Sequence, residues 1–437
     1  MVLANKKILL LSTGDSIGGA YELMYRMASA LNGHCEQVCL AVKNKRYTDT
    51  FVKSVNVVVP KLPLLKRCIR SVQSRLHLLS PELAAVAKSN YVFYYQEEEQ
   101  QHFVRAEYLL QQIGFMPDII FVGLTTGFIN TNEVARLHQL TNAVIAYVML
   151  DVYPITGGCH VLCDCKEYQR GCVQCPAVRN TPLANLPSKQ FANKQRLYTQ
   201  MRPVFVGASC FIRRLLQESP LTTDGLVIPI YSCIPTNIFN TNSREYAKQF
   251  WNIPKNKKVI LAGADNVRDP RKGRRYFVEA LKQLVAKHPN ISSNVMVVLV
   301  GNHNTADEET KQIPLETKYV DYIRDMRLLS LLYQASDIYV MSSLEEGGPM
   351  MVPEAMLCGT LVVGFQTGFL ENEDIIQSHI NGYRVPLADV GALEKALCEA
   401  LSLTDAETIA MRQCAQQTAI NKMSDKAFIS ILKKIEL

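Results

Sequence analysis

Two glutamates near the carboxyl-terminal end of the chain, Glu346 and Glu354, are separated by seven residues that begin with Gly-Gly-Pro. The apolar run 337–343 precedes them and predicts a strand, and 355–359 predicts a short helix that ends at a glycine. A helix N-terminus offers unpaired N–H groups to a phosphate, and carboxylates can accept hydrogen bonds from sugar hydroxyls. The pattern therefore favours a site for a diphosphate linked to sugars.

A basic turn follows the first predicted strand of the second half, 258–263. It reads Asp269-Pro270-Arg271-Lys272-Gly273, and a lysine before a glycine at a helix start can place an ammonium group beside a diphosphate. Arg268 and Arg271 are further candidates for the same charge. A solvated basic helix start is the alternative explanation.

Gly18 and Gly19 follow the first predicted strand, 7–11, and glycine lets a backbone approach a ligand closely. Their spacing from Gly14 differs from the G-x-G-x-x-G fingerprint, which weakens a dinucleotide-binding hypothesis. A tight strand-to-helix turn explains the same glycines. Asp151 stands just after another predicted strand, 143–149.

Five cysteines lie between positions 159 and 175, more than random placement in a core would give. Thiolates of Cys159, Cys165, Cys172 and Cys175 could form a tetrahedral zinc site, with Cys163 or His160 as substitutes. Only the last two have a standard ligand spacing. Structural zinc, reduced packed thiols and disulfides all remain open.

The elements that must position these residues alternate between strand and helix. A chain of 437 residues suits two domains, and hydrophobic and charged contents of 48% and 20% indicate a folded protein. Strand–helix alternation implies parallel sheets covered by helices. It occurs on both sides of a proline-bearing hinge at 225–242. Predicted strands are 7–11, 37–42, 54–59, 118–122, 143–149, 258–263, 295–300, 337–341 and 360–364.

Charge and hydropathy exclude several classes of protein. A net charge of +7 is modest for this length and does not demand nucleic acid. No apolar run approaches 18 residues, and the start predicts a strand rather than an export signal. The stretch 64–79, with Lys66, Arg67, Arg70 and Arg75, predicts a basic amphipathic helix. Such a helix could contact an anionic membrane or pack on its own domain. The run 97–99 of glutamates predicts a solvated face.

At the paired glutamates and Lys272 the chain resembles the family 4 retaining glycosyltransferases. The string from Asp151 through Thr-Gly-Gly-Cys-His to Cys-x-x-Cys-Pro resembles a bacterial subset of that family. The resemblance implies α/β GT-B architecture, with two doubly wound Rossmann-like domains facing a cleft. It further implies an acceptor-side domain at 1–224 with a cysteine-rich insert at 151–180, a hinge at 225–242, a donor domain at 243–415 and a final helix at 416–437 that crosses back.

The resemblance also implies roles for the candidate residues. Glu354 would hold ribose hydroxyls and Glu346 the donor sugar, while Lys272, with Arg268 or Arg271, would balance the diphosphate. Two departures stand out: Leu150 and Ala264 occupy positions where the family usually has histidine and arginine. Backbone amides would complete the cradle, and the acceptor would enter near the first-half residues. The amides are those of Gly347, Gly348 and Met350, and the acceptor-side residues are Gly18, Gly19 and Asp151.

The expected activity is retaining transfer of a hexosyl group from a UDP- or GDP-sugar to a hydroxyl of a glycan or lipid-linked glycan, in surface polysaccharide synthesis. Catalysis would need no metal or other cofactor, and zinc would be structural. There is no Asp-x-Asp, the usual diphosphate–metal pair of the other main glycosyltransferase architecture. The protein would work in the cytoplasm, peripheral to the inner face of the membrane. Alternatives are a nucleotide-sugar epimerase or phosphorylase of the same architecture, and a non-catalytic zinc-bearing binding protein.

Overall fold

The strands of the chain form two separate parallel sheets, each within its own compact unit. The structure is a computed structural model. It describes residues 3–16, 18–57, 99, 103–207, 209–222, 225–264, 269–301 and 308–435. The first unit comprises Met1–Gly207, Ile212–Pro229 and Ile435–Leu437, and the second comprises Ala208–Phe211 and Ile230–Lys434.

The first sheet has seven strands in the order β3-β2-β1-β4-β5-β6-β7, all parallel. Its interior strand Lys7–Gly14 is buried from its second residue to its last. Such continuous burial is typical of parallel strands covered on both faces. The strands are β1 (Lys7–Gly14), β2 (Gln37–Asn44), β3 (Val52–Ser54), β4 (Ile119–Val122), β5 (Val144–Val148), β6 (Val204–Val206) and β7 (Val227–Ile228).

The second sheet has six strands in the order β10-β9-β8-β11-β12-β13, again all parallel. Two apolar clusters contain residues of this sheet and of the helices packed against it. The strands are β8 (Lys258–Ala264), β9 (Val295–Gly301), β10 (Glu316–Val320), β11 (Ile338–Met341), β12 (Leu361–Phe365) and β13 (Gly382–Val385).

Helices connect the parallel strands, as crossovers in such sheets require. The described α-helices are α1 (Gly19–Leu31), α2 (Ala106–Ile113), α3 (Thr131–Thr141), α4 (Leu186–Met201), α5 (Cys210–Glu218), α6 (Arg244–Phe250), α7 (Arg274–Lys287), α8 (Met326–Ala335), α9 (Met351–Leu357), α10 (Val390–Ser402), α11 (Asp405–Met423) and α12 (Asp425–Lys434). None of the helices in the described residues is both long and apolar enough to cross a membrane.

The strand order reverses once in each sheet, and this reversal positions the candidate sites. The chain turns back between β1 and β4 in the first sheet, and between β8 and β11 in the second. In open parallel sheets, ligands bind outside the carboxyl ends of the strands at such switch points. Loops after β8 and β11 carry Lys272 and Glu346, and loops after β1 and β5 carry Gly18 and Asp151.

The expected fold class, two doubly wound Rossmann-like domains, is confirmed. The sequence patterns missed β6, β10 and β13. The first has only three residues, the second lies at a sheet edge with mostly partly exposed residues, and the third begins with a glycine. The predicted basic helix at 64–79 lies outside the described residues.

Candidate functional site

Two loops of the second unit meet at the switch point of its sheet. The Ser342 hydroxyl donates to the Lys272 carbonyl at 2.9 Å, and the Leu344 N–H donates to the Arg271 carbonyl at 2.6 Å. Gly273 makes this approach possible because a Cβ at that position would lie 1.9 Å from the Ser342 carbonyl oxygen. Its φ of +64° also lies in the region that favours glycine. The loop after β8 is therefore held against the end of β11.

Lys272 and Glu346, predicted from separate motifs, form an ion pair. Lys272 Nζ lies 2.5 Å from Glu346 Oε1, and both side chains keep some exposure, 30% and 13%. The Glu346 N–H donates to the Thr367 hydroxyl, which anchors the loop to the end of β12. At the carboxyl ends of these strands, the ammonium group can bind an anionic group, and the carboxylate beside it can accept hydrogen bonds from hydroxyls.

Glu354 lies deeper than Glu346. Helix α9 begins at Met351, four residues before the predicted start, so Glu354 belongs to its first turn. The side chain is buried, and the Tyr333 hydroxyl donates to its Oε2 at 2.8 Å. Burial first, and then the Glu354 charge, raise the pKa of Tyr333, so this phenol stays a donor. The tyrosine thus fixes one carboxylate oxygen of Glu354.

Arginines near Lys272 differ in their surroundings. Arg271 pairs with Asp269 at 2.5 Å, and burial would lower its pKa, but Asp269 and then Glu346 raise it. Arg268 lies outside the described residues. Arg274 was not predicted; with Lys272 it lines a cavity of about 50 Å³ at the ends of β8 and β11.

The loop between Glu346 and α9 contains the three predicted amide donors. Gly348 packs against Phe369, since a Cβ there would lie 3.0 Å from that ring. Met350 is the residue before α9 and has no side-chain cap. Within the part of the chain that the structure describes, the N–H groups of Gly347, Gly348 and Met350 make no hydrogen bond to the protein. These N–H groups can therefore donate to a ligand without breaking an existing hydrogen bond.

In the first unit, Gly18 and Gly19 stand at the start of α1. Gly18 caps the helix with a φ of +106°, and Gly19 is its first residue. The Tyr21 ring covers this turn and Gly14. Burial raises the pKa of Tyr21, and the charge of Asp151 raises it further.

Asp151 pairs with a histidine that the motifs did not assign to it. Asp151 Oδ2 lies 2.6 Å from His160 Nδ1, and His160 Nε2 lies 3.4 Å from the Thr126 hydroxyl after β4. The other carboxylate oxygen of Asp151 accepts from the Tyr153 N–H at 2.9 Å. The end of β1 and the loops after β4 and β5 therefore meet here, because the Thr13 hydroxyl of β1 donates to the Thr126 carbonyl.

A buried lysine supports the loop that carries His160. Lys194 of α4 donates to the carbonyls of Tyr153 and Thr156 at 2.6 and 3.1 Å, and it lies over the Tyr153 ring. Burial lowers the pKa of Lys194 to about 8, against the opposing effect of Glu99. Glu99 is buried and bonds the Tyr153 hydroxyl at 2.5 Å, so the predicted solvated face is wrong at this residue.

The cysteine-rich insert brings several thiols together without a disulfide among the described cysteines. Cys159 and Cys175 share a small apolar cluster. A hydrogen bond from the Cys159 thiol lowers the pKa of Cys175 to about 7. Burial raises the pKa of Cys172 to about 12, and burial also raises that of Cys165. No group of three or more potential ligands in the described chain is arranged to hold a metal ion. The zinc site stays a prediction.

Several residues of these sites escaped sequence reasoning. Tyr333 and Lys194 are buried helix residues with no local signal, and Thr367 and Thr126 lie in loops that follow other strands. Arg274 does have a signal, because it follows the Lys-Gly turn directly. His160 was predicted only as a substitute zinc ligand and as part of a motif string, and its distance from Asp151 follows from how the intervening loop folds.

Comparisons with known proteins support the architecture. Residues 256–403 match the family model described as "Glycosyl transferases group 1". HepE from Anabaena, solved with UDP and glucose, superposes with a TM-score of 0.63 at 15% identity, covering 98% of this chain and 99% of its own. Sucrose-phosphate synthase from Thermosynechococcus elongatus gives 0.63 at 16%, covering 98% of each chain.

A third solved structure has the same fold. WaaG, a glycosyltransferase involved in lipopolysaccharide biosynthesis, gives a TM-score of 0.60 at 13% identity, covering 98% of each chain. No match to the sequence was found among curated proteins. Lys272, Glu346 and Glu354 all fall within the matched segment 256–403. The chain therefore has the two-domain GT-B fold and carries a group 1 glycosyltransferase domain at residues 256–403.

Proposed function

We propose that this protein is a retaining glycosyltransferase that moves a hexosyl group from a UDP- or GDP-sugar to an acceptor hydroxyl. The donor binds the second unit at the loops after β8 and β11. The acceptor, a glycan or lipid-linked glycan of a surface polysaccharide, binds the first unit near Gly18, Gly19 and Asp151. The group 1 domain match and the GT-B fold support transferase chemistry.

The observation that carries the proposal is the Lys272–Glu346 pair at the switch point. As the sugar leaves, negative charge grows on the diphosphate, and a fixed ammonium stabilises that charge most in the transition state. Glu346 accepts from donor sugar hydroxyls. HepE was solved in complex with UDP-glucose, and we carry that donor class to this chain.

We assign the remaining contacts to the nucleotide sugar by how deeply each residue is buried. Glu354, buried and held by Tyr333, accepts from the ribose hydroxyls. The amides of Gly347, Gly348 and Met350 bind phosphate oxygens. Arg271 or Arg274 adds positive charge beside Lys272.

Two further proposals concern the location of the protein and a structural metal. We propose that it acts in the cytoplasm, with reversible contact to an anionic membrane through the basic stretch at 64–79. We also propose a structural zinc at Cys159, Cys165, Cys172 and Cys175. Neither is needed for the donor site.

Lys272→Ala tests the proposal. With UDP-glucose, UDP-galactose and GDP-mannose as donors, and p-nitrophenyl hexosides or water as acceptors, nucleoside-diphosphate release is measured. We expect a fall in kcat on the order of 100-fold, because the lost ammonium acts on the leaving group. Lys287→Ala is the matched control, since Lys287 also pairs with a glutamate at 2.5 Å but at the far end of α7.

Each of the other possible results would contradict a different part of the proposed function. Equal loss in both variants assigns Lys272 a structural role. No turnover of any donor by the wild-type protein rejects the transferase. A sugar-nucleotide isomer formed without acceptor indicates the epimerase, and NMR of the product anomer decides between retention and inversion.

A further inference from the structure

Three cations of the second unit share one carboxylate, that of Asp337. Its Oδ1 lies 2.6 Å from Arg412 Nη2 and 3.2 Å from Arg244 Nη2. Its Oδ2 lies 3.4 Å from Lys248 Nζ and accepts from the Val259 N–H at 2.8 Å. In the part of the chain that the structure describes, no second carboxylate pairs with these three cations, so this group, the Asp337 cluster, has an excess of two positive charges.

The charges of the Asp337 cluster act on one another. Burial would raise the pKa of Asp337, but the three cations lower it below its ordinary value, so this carboxylate is ionised. Burial first, and then the charge of Arg412, lower the pKa of Arg244 to about 10, although Asp337 opposes the shift. Like charges held together without enough counter-charge cost free energy, and burial increases that cost. One carboxylate therefore does not balance the three cations.

Arg412 has hydrogen-bond donors to spare. Among the described residues its one hydrogen bond runs from Nη2 to Asp337, and its Nε is buried without a partner. Arg244 differs, because it also donates to backbone carbonyls through Nη1 and Nη2. Those carbonyls belong to Gln334 and Ser336. Since a guanidinium has five N–H donors, Nη1 of Arg412 can donate to an oxyanion without breaking a bond to the protein.

The Asp337 cluster lies at the opposite end of the second sheet from Lys272 and Glu346. Asp337 immediately precedes β11 and bonds Val259 near the start of β8, so the cluster stands at the amino ends of these strands. Lys272 and Glu346 follow their carboxyl ends. The side chains of the three cations keep between 19% and 25% exposure, so they are accessible to a solute.

We propose that the Asp337 cluster binds a phosphate group, either as the free anion or as the terminal group of a phosphate ester. Such a group carries about 1.5–2 negative charges near pH 7, which matches the excess charge of the cluster. Arg412 donates to it through Nη1, and Lys248 and Arg244 add positive charge beside it. The site is separate from the proposed donor site and does not depend on the transferase function. In the alternative explanation, the cluster is an ion-pair network that needs no ligand.

Isothermal titration of the intact chain with orthophosphate at pH 8, at an ionic strength held constant with sodium chloride, measures this binding. Arg412→Gln removes the spare donors and leaves two cations beside Asp337. We expect wild type to bind orthophosphate, and Arg412→Gln to bind it at least about 10-fold more weakly, because a charge-assisted hydrogen bond is lost. Arg384→Gln is the matched control and should bind as wild type does. Arg384 has a similar exposure, 18%, but pairs one-to-one with Glu373.

The proposed donor site would also attract phosphate, so the comparison is repeated in the Lys272→Ala background. Weaker binding by Lys272→Ala/Arg412→Gln than by Lys272→Ala supports the Asp337 cluster, whatever the transferase assay gives. Equal affinity of these two proteins overturns the cluster. No binding by Lys272→Ala also overturns it, because the phosphate then binds at the donor site.

Thermal unfolding tests the ion-pair network. We expect phosphate to raise the melting temperature of wild type and to leave that of Arg412→Gln unchanged, since a ligand stabilises only the state that binds it. No rise for wild type relative to chloride, with a lower melting temperature of Arg412→Gln, assigns a structural network and overturns the proposal. If Arg412→Gln does not fold, Lys248→Gln replaces it, and orthophosphate affinity equal to wild type then overturns the proposal.

Glycerol 3-phosphate distinguishes the two sources of the phosphate group. Binding tighter than that of orthophosphate, and lost in Arg412→Gln, supports a site for a phosphate ester. Weaker binding, with orthophosphate binding lost in the same variant, supports a site for the free anion. Binding of neither compound by wild type overturns the proposal.

Discussion

At the scale of single residues, Lys194 is a charge taken almost fully out of water. It is 1% exposed and donates to two backbone carbonyls, while burial lowers its pKa to about 8 from 10.5. Between these values the unfolded chain binds more protons than the folded one, so stability rises with pH. Below pH 8 both states are protonated and the dependence vanishes. We expect a gain of up to about 3 kcal/mol from pH 8 to 10.5.

The comparison with Lys194→Met isolates this effect. Urea unfolding at pH steps from 7 to 10 should give a free-energy difference, wild type minus variant, that grows in favour of wild type above pH 8. Lys189→Met, an exposed lysine on the same helix, should follow wild type at every pH. Parallel curves for wild type and Lys194→Met would show that Lys194 does not titrate in this range.

Candidate residues could be named from the sequence where each lies in a short local motif. Glu346 and Lys272 were assigned to one ligand from separate motifs, and the structure brings them to 2.5 Å. Asp151 and His160 are only nine positions apart, yet their pairing was not predicted. No periodicity governs an irregular loop, and its path depends on Thr156, Gly157 and the buried Lys194. Deep partners such as Tyr333 follow from tertiary packing alone.

At the scale of elements, the turn between β8 and α7 depends on Gly273. Alanine there would place its Cβ 1.9 Å from the Ser342 carbonyl oxygen and hold a φ of +64°. We expect Gly273→Ala to lower the free energy of unfolding by about 1–3 kcal/mol, or to move the turn. Moving the turn displaces Lys272 from Glu346, so UDP-glucose affinity should fall as well. Denaturant unfolding and calorimetric titration measure the two effects.

Gly391→Ala is the control for this substitution. Gly391 lies exposed in the first turn of α10, and a Cβ there would come no closer than 3.6 Å to Asp389. Alanine in a helix is favoured over glycine by roughly 0.5–1 kcal/mol, so this variant should be slightly more stable. If Gly273→Ala unfolds at the wild-type denaturant concentration, the close contact does not exist in solution.

Elements were predicted best where they are buried and apolar. Strands β1, β4, β8 and β9 began within one residue of their predicted starts, because continuous apolar runs mark central parallel strands. Edge strand β10 lacks that signal, since four of its five residues are partly or fully exposed. Helix α9 was predicted to start at 355 but starts at Met351, and Pro353 lies within its first turn, where a proline is tolerated.

At the scale of the whole molecule, strand–helix alternation on both sides of a proline-bearing segment predicted two doubly wound domains. The structure has two such sheets, and the main part of the second unit begins at Ile230. Composition could not predict which loops carry the sites. Strand order favours particular loops, because the switch points lie between β8 and β11 and between β1 and β4, and β5 is the next strand beside β4.

Donor binding to the intact chain tests the central claim most directly. Glu354→Gln keeps the volume of the side chain and an oxygen for Tyr333 but removes the charge that accepts ribose hydroxyls. Hydrogen bonds to a charged group contribute about 1.5–3 kcal/mol, so UDP-glucose or GDP-mannose should bind roughly 10- to 150-fold more weakly. Glu394→Gln is the control, because Glu394 is equally buried but lies on α10 with Lys287 as its partner.

Isothermal titration of the three proteins gives the answer. The account predicts that wild type and Glu394→Gln bind one of these nucleotide sugars with equal affinity, while Glu354→Gln binds it at least 10-fold more weakly at an unchanged melting temperature. Equal affinity of all three proteins, or no binding of either nucleotide sugar by wild type, would contradict it.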